Sequence, residues 1–184
     1  MQDIPNEVLK KAQGGDVGSF EIIYRATCGF VYNVAYRIVN SREDAEEVAQ
    51  EVFLKIYRNL KYFRLESSFK TWAYRIATNC AITHYKRTAR EKERREVYHT
   101  STDPEQAASV SGRSGESHNE TIDLFLKSIN EDQRACIVLR NIEGLSYKQI
   151  ADTLRISINT VRSRLKRARE KMLAMRKEMV KDEM

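Results

Sequence analysis

"LSYKQIADTLRISINTVRSRLKRAREKM", residues 145 to 172, reads as two helices separated by a turn. Ser146 stands where it can cap a short helix that carries Ile150, Ala151 and Leu154 inward. Arg155 and Ile156 form the turn, and Ser157 can cap the next helix. On that helix Val161, Leu165, Ala168 and Met172 follow at steps of four, three and four, which is one apolar stripe. The small Ala151 lets the two helices cross closely, so the segment predicts a helix-turn-helix. Asn159, Arg162, Ser163, Lys166 and Arg167 fall on the opposite face.

Charge separates a DNA-reading helix from an ordinary solvated one. Residues 155 to 171 hold seven basic groups and one acid, Glu170; that local +6 equals the formal net charge of the whole 184-residue chain. A solvated helix usually mixes signs at i,i+4 to gain from pairing, and this one largely forgoes it. A one-signed face beside donor-rich Asn and Ser suits phosphate contact and base-edge reading in a major groove. The stretch reads as a DNA-binding helix.

The rest of the composition mainly excludes. Lys+Arg total 32 against Asp+Glu 26, a balance that mildly favours a polyanion without identifying one. Cys28, Cys80 and Cys136 lie far apart and read as small apolar residues, not as a metal or disulfide framework. His84, His99 and His118 are scattered, and no Gly-rich phosphate loop or catalytic signature is found among only seven glycines. No catalytic, cofactor-binding or metal site is expected. No apolar run is long enough to span a membrane and the start of the chain lacks a signal-peptide core, so a cytoplasmic location is expected.

Helical signals dominate the remainder. Residues 19 to 39 repeat apolar and aromatic groups at three-to-four spacing, and Ser41 opens a new helix with Asp44 as a capping-box-like partner. Ala45, Val48, Ala49, Val52, Phe53, Ile56 and Leu60 line one stripe of it; after a break at residues 61–68 another helix runs from about Phe69 into Lys86. Between Glu96 and His118 the chain turns to Ser, Thr and Gly with almost no large apolar residue, which reads as a flexible tether. Helical periodicity resumes at Thr121. The expectation is all-α: two small helical domains, 1–95 and 119–184, joined by a linker at 96–118.

The first of these domains carries two informative strings. "SREDAEEVAQEVFLKIY" (41–57) is acidic, with Glu47 and Glu51 beyond the first helical turn where the helix dipole would explain them. An acidic outer face suits a basic protein partner, although electrostatics alone slightly favours the plainer reading of acids gathered toward a helix N-terminus. "FRLESSFKTWAYRIATNCAITHYKR" (63–87) sets aromatics beside Arg64, Lys70, Arg75, Lys86 and Arg87. Trp72 and Ile76 read as core, whereas the polar piece from Arg64 to Ser68 could hold an unstacked base.

With these strings in view, the chain resembles a bacterial RNA polymerase sigma factor of the extracytoplasmic-function (ECF) group, which keeps only sigma regions 2 and 4. The resemblance rests on DAEEVAQEVF, FRLESSFKTWAYRIATN and GLSYKQIADTLRISINTVRSRLKRARE, in the family's order, and covers about residues 17–95 and 119–175. It implies that Glu47, Gln50 and Glu51 grip the β′ subunit of core RNA polymerase, a partner that also offers its β subunit. It implies that Phe63, Arg64, Ser67, Phe69, Lys70 and Asn79 recognise the melted minus-ten element, with Lys86 and Arg87 near its backbone. Asn159, Thr160, Arg162, Ser163, Lys166, Arg167 and Arg169 are implied to meet the minus-thirty-five element as duplex. An anti-sigma factor is a further implied partner; no small-molecule substrate is. Four departures stand out: Leu65 and Arg155 where a Gly is common, Asn130 where a Pro is usual, and His84 in a place often acidic. A dimeric repressor with the same helix-turn-helix is the alternative, but it has no use for an aromatic single-strand loop. A recombinase would need the missing catalytic constellation.

Overall fold

The computed structural model describes residues 4–64, 68–99 and 117–182. Among them the chain forms eight α-helices and no strand. These are α1 (Asn6–Gln13), α2 (Val17–Val39), α3 (Arg42–Asn59), α4 (Phe69–His99), α5 (Ser117–Lys127), α6 (Glu131–Ile137), α7 (Tyr147–Leu154) and α8 (Ile158–Asp182). A 3-10 turn at Leu60–Tyr62 follows α3, and a π-turn at Val138–Ile142 extends α6.

Short polar side chains start most of these helices by accepting a bond from an otherwise orphaned backbone N–H. Asp16 accepts from Ser19 N at 2.7 Å, Ser41 from Asp44 N at 3.3 Å and Ser157 from Thr160 N at 3.1 Å. Ser146 and Gln149 form a full capping box at the head of α7. Asn130, which replaces the family's usual Pro, caps α6 by accepting from Gln133 N at 2.9 Å. That departure therefore exchanges one helix-starting device for another.

α1 to α4 pack on one another and α6 and α7 pack on α8, while α7 lies on α4 and α6 on α2 and α4, so the buried residues form one continuous core. Ile23, Val31, Val34, Ala35 and Ile38 of α2 meet Ala45, Val48, Val52 and Ile56 of α3, all fully buried. Ile150 of α7 and Val161, Leu165 and Ala168 of α8 are buried, as the helix-turn-helix reading requires. Four expectations need correction. α1 went unforeseen, because its N-cap is Pro5 with no side-chain cap bond. α4 does not end near Lys86 but continues to His99, since residues 87–96 are rich in Arg, Lys and Glu, which favour a helix without needing a buried face. Residues 96–99 and 117–118 of the expected tether are accordingly helical, and its remaining residues, 100–116, lie outside the described ones. Cys28, Ala49 and Phe53 are only half-buried; they line a groove treated below.

One buried cation ties the two halves together. Arg134 of α6 is 1% exposed. Its Nε donates to Leu126 O at 2.8 Å, its Nη2 to Ile129 O at 3.1 Å, and its Nη1 to Ile38 O at the end of α2. The guanidinium also lies 5.0 Å from the centre of the Tyr85 ring, a cation–π contact. Around it, Tyr36 donates to Asp123 at 2.9 Å and Arg75 to Asp152 O at 2.7 Å, while the Tyr74 hydroxyl donates to Glu143. Burial, then that bond, raises the Tyr74 phenol well above its ordinary pKa, so it stays a donor.

The turn of the helix-turn-helix shows why a Gly is common there. Arg155 sits in the left-handed region at φ 53° and ψ 47°, closing α7 with its N–H on Ala151 O. For a residue with a Cβ that conformation costs roughly 1–2 kcal/mol. Arg155→Gly is expected to stabilise the fold by about 1 kcal/mol, raising the melting temperature by roughly 2–4 °C in a chain of this size. A thermal melt that falls instead would show that the Arg155 side chain holds more than its backbone costs.

Candidate nucleic-acid interface

The basic face of α8 is built as its pattern implied. Asn159, Arg162, Ser163, Lys166, Arg167 and Arg169 are exposed and Thr160 is half-buried, all over a fully buried Val161–Leu165–Ala168 seam. Arg162 Nη1 donates to Asn159 Oδ1 at 3.2 Å, which holds its fork outward on the first turn. Arg164 must be subtracted from the charge count: it turns inward and pairs with Asp132 of α6 at 3.1 Å. Lys166 meets Glu170 at 3.8 Å, a loose exposed pair that a phosphate can replace at little cost.

The residues expected to read single-stranded DNA divide into a buried group and a surface group. Phe63 and Phe69 are buried, 7% and 6% exposed, and form a ring cluster with Trp72 at centroid distances of 5.0 and 5.6 Å. A base stacked directly on either ring would have to open this cluster. Gln13 of α1 fixes the chain just ahead of Arg64, its Nε2 donating to Leu60 O at 3.1 Å and Phe63 O at 2.6 Å. Arg64 and Asn79 are exposed, and Lys70 is half-buried with its Nζ 5.9 Å from the Tyr74 ring centre. Leu65 and Ser67 lie outside the described residues.

The two expected backbone contacts are already engaged. Lys86 pairs with Glu131 of α6 at 3.4 Å, and Arg87 with Glu47 of α3 at 2.9 Å. Behind Arg87 the buried His84 ring offers Nε2 to Asp44 at 2.8 Å and Nδ1 to Arg87 Nη2 at 3.2 Å. The ring thus bridges Asp44 of α3 and Arg87 of α4.

Glu47 and Gln50 lie on the outer side of α3, and Glu51 pairs with Lys55 at 2.6 Å. Between α2 and α3 on this side lies a groove of about 640 Å³ that the sequence reading missed. Phe20, Tyr24, Phe53, Leu54 and Tyr57 line it, with Glu46 and Gln50 at its rim. Leu54 and Tyr57 are 55% and 54% exposed, more apolar surface than a fold needs in water. The Tyr24 and Phe53 rings, from α2 and α3, meet across the groove at 4.5 Å, a tertiary contact that the sequence does not signal.

No group of His, Cys, Asp or Glu among the described residues could hold a metal ion, and burial raises the pKa of the Cys80 thiol and pushes that of Cys136 up to about 11. What the chain offers is surfaces: a groove edged with acid, an aromatic-backed segment, and a basic helix. The family models for Sigma-70 region 2 and Sigma-70 region 4 match residues 23–91 and 119–172. The chain is 34% identical to the RNA polymerase sigma-H factor of Pseudomonas aeruginosa, over 92% of both chains. It is 33% identical to the ECF RNA polymerase sigma-E factor of Escherichia coli strain K12, covering 92% of this chain and 93% of that one. Among solved structures its fold is similar to CnrH in complex with the cytosolic domain of CnrY, with a TM-score of 0.69 at 22% identity over 96% and 99% of the two chains. It is likewise similar to the sigma factor RpoE in complex with the anti-sigma factor NepR from Bartonella quintana, at 0.67 and 22% over 88% and 98%. The chain belongs to the ECF sigma factors of bacterial RNA polymerase.

Proposed function

We propose that the chain binds core RNA polymerase and directs it to promoters, recognising a minus-thirty-five element as duplex and a minus-ten element as a melted strand. The observation that carries this reading furthest is the basic face of α8, exposed on a closed core and opposite in sign to the acidic rim of α3. One chain thus offers a polyanion surface and a basic-protein surface on different helices. Asn159, Thr160, Arg162, Ser163, Lys166, Arg167 and Arg169 are the proposed duplex contacts. Arg64, Ser67, Lys70, Asn79, Lys86 and Arg87 are the proposed minus-ten contacts, with Phe63 and Phe69 acting as the floor that holds their segment in place. Domains at 1–95 and 119–184 with a tether between them would let the two readers reach separate elements.

Glu47, Gln50 and Glu51 are the proposed polymerase contacts, and the neighbouring groove supplies the apolar part of that surface. Its occupant would be an amphipathic helix with basic flanks, of the kind the polymerase β′ subunit offers; the β subunit would engage the last four helices. An anti-sigma factor competing for such surfaces is a further proposed partner, in the cytoplasm, and the chain would perform no chemistry of its own. No described helix is long and apolar enough to cross a membrane.

Leu54→Glu tests this. Leu54 is exposed, so the melting temperature should stay near wild type. A carboxylate in the middle of the groove should weaken binding to core polymerase by about thirtyfold or more, the scale of losing an interface hot spot. Run-off transcription should fall in parallel. Tight binding by the variant would remove the groove from the polymerase surface; failure of the wild-type chain to support run-off transcription would overturn the sigma reading itself.

A further inference from the structure

The last four helices fold back on the first four through polar as well as apolar contacts. Tyr36 of α2 donates to Asp123 of α5 at 2.9 Å, and Tyr74 of α4 donates to Glu143 beyond α6. Arg75 of α4 holds Asp152 O of α7 at 2.7 Å, and Arg134 of α6 holds Ile38 O of α2. Two further contacts fall on residues proposed to meet the promoter strand. Lys86 is held by Glu131 of α6 at 3.4 Å, and Asn79 shares a cleft with Arg155 of the helix-turn-helix turn. Reach decides what such an arrangement can do. The duplex-reading face starts at Asn159, in the first turn of α8, and runs to Arg169, about 15 Å at 1.5 Å per residue. Its near end therefore lies within one helical turn of the cleft that Asn79 lines. Elements centred ten and thirty-five bases upstream are separated by about 85 Å of duplex, at roughly 3.4 Å per step. Folded in this way, the chain cannot meet both elements at once.

We propose that the folded-back arrangement is an autoinhibited state of the free chain, which core polymerase opens by parting α5–α8 from α1–α4; this rests on the sigma function proposed above. The lock is reversible by construction. On opening, Arg134 keeps Leu126 O and Ile129 O, which belong to its own half, and gives up Ile38 O alone. Asp123, Glu131 and Glu143 are half-buried and regain water, which offsets the bonds they lose. The Lys86 ammonium is freed for a phosphate in the same step. α8 packs on α5, α6 and α7, so the duplex reader moves away with its own support. Polymerase then acts as a ligand that binds the open state and shifts the population towards it.

Single-molecule energy transfer tests this, with dyes at Arg58→Cys and Lys148→Cys, both exposed positions, in a Cys28→Ser background where the remaining cysteines are buried. The free chain should show one high-transfer population, and core polymerase should convert it to low transfer. Tyr36→Phe/Tyr74→Phe keeps both rings and replaces no proposed polymerase or DNA contact. It strips two carboxylates of their donors in the closed state only, so it should raise the open fraction about tenfold or more. Its affinity for a single-stranded minus-ten oligonucleotide should rise in step, while run-off transcription at saturating polymerase stays unchanged. Low transfer in the free wild-type chain would overturn the proposal, as would high transfer that persists on polymerase. A double variant that opens without gaining oligonucleotide affinity would also overturn it, because closure would then inhibit nothing. The wild-type free-chain measurement needs neither the double variant nor a promoter, so its failure is distinct from failure of the sigma reading.

Discussion

Arg134→Met is expected to destabilise the protein by about 3–5 kcal/mol, the loss typical of removing a buried charged group whose partners stay behind. The side chain is replaced at similar length and most of its apolar contacts survive, so the loss comes from the backbone. The carbonyls of Leu126, Ile129 and Ile38 each accept from the guanidinium, and of these Leu126 O has a further donor, the Ile129 N–H at 3.4 Å. Arg134→Lys should recover little, because one ammonium cannot reach three carbonyls that a planar fork spans. Denaturant unfolding followed by circular dichroism should show a lower midpoint at an unchanged slope, and a thermal shift of roughly 10 °C. A loss below about 1 kcal/mol would mean that water satisfies these carbonyls in the variant, and that Arg134 is a contact of convenience.

Arg134 also marks where sequence reasoning stops. The helix-turn-helix was legible because its information is local: a cap at Ser146, a stripe from Val161 to Ala168, and a charge excess within seventeen residues. Arg134 carries no such signal. One of its acceptors is a carbonyl 96 residues away, and backbone acceptors have no sequence signature. The same limit hid the groove between α2 and α3. Ala49 and Phe53 fit the apolar stripe of α3, and only the packing of α2 leaves them at its open edge. For the minus-ten segment the residue types were legible but their depth was not. Phe63 and Phe69 looked like stacking platforms, yet Trp72 and the Gln13 clamp from the unforeseen α1 draw that end of the segment into the core.

The proposed contact residues that are already paired share one property: their partners are exposed or half-exposed. Arg87 and Glu47 are 57% and 62% exposed at the side chain, and Lys86 is 43% exposed. Such pairs contribute little to stability, typically below about 1 kcal/mol. DNA phosphates or a polymerase cation could therefore displace them without a stability penalty, which is what a surface that must change partners requires. Arg134, by contrast, is fully buried and keeps its acceptors within the fold.

Alanine at Arg162, Lys166 or Arg169 should leave the melting temperature close to wild type, since all three side chains stand outside the Val161–Leu165–Ala168 seam. Their effects on DNA should differ in kind. Arg162 lies in the first turns of α8, with its fork steadied by Asn159, where a recognition helix meets base edges. If it makes a bidentate base contact, its loss should cost about 1–3 kcal/mol on cognate duplex and relax preference at one position of the minus-thirty-five element. Arg169 lies two turns further along, towards the flank of a groove, and should act on phosphate. Its loss should weaken binding to every sequence and lower the salt slope by about one. Lys166 should fall between them, because Glu170 at 3.8 Å already offsets part of its charge. Affinities of the three variants for cognate and scrambled duplexes over a salt series separate these roles. Equal losses on both duplexes for Arg162→Ala would reassign it to phosphate. Unchanged affinity and salt slope in all three would leave this face with water as its only partner, and duplex recognition would have to be sought elsewhere on the chain.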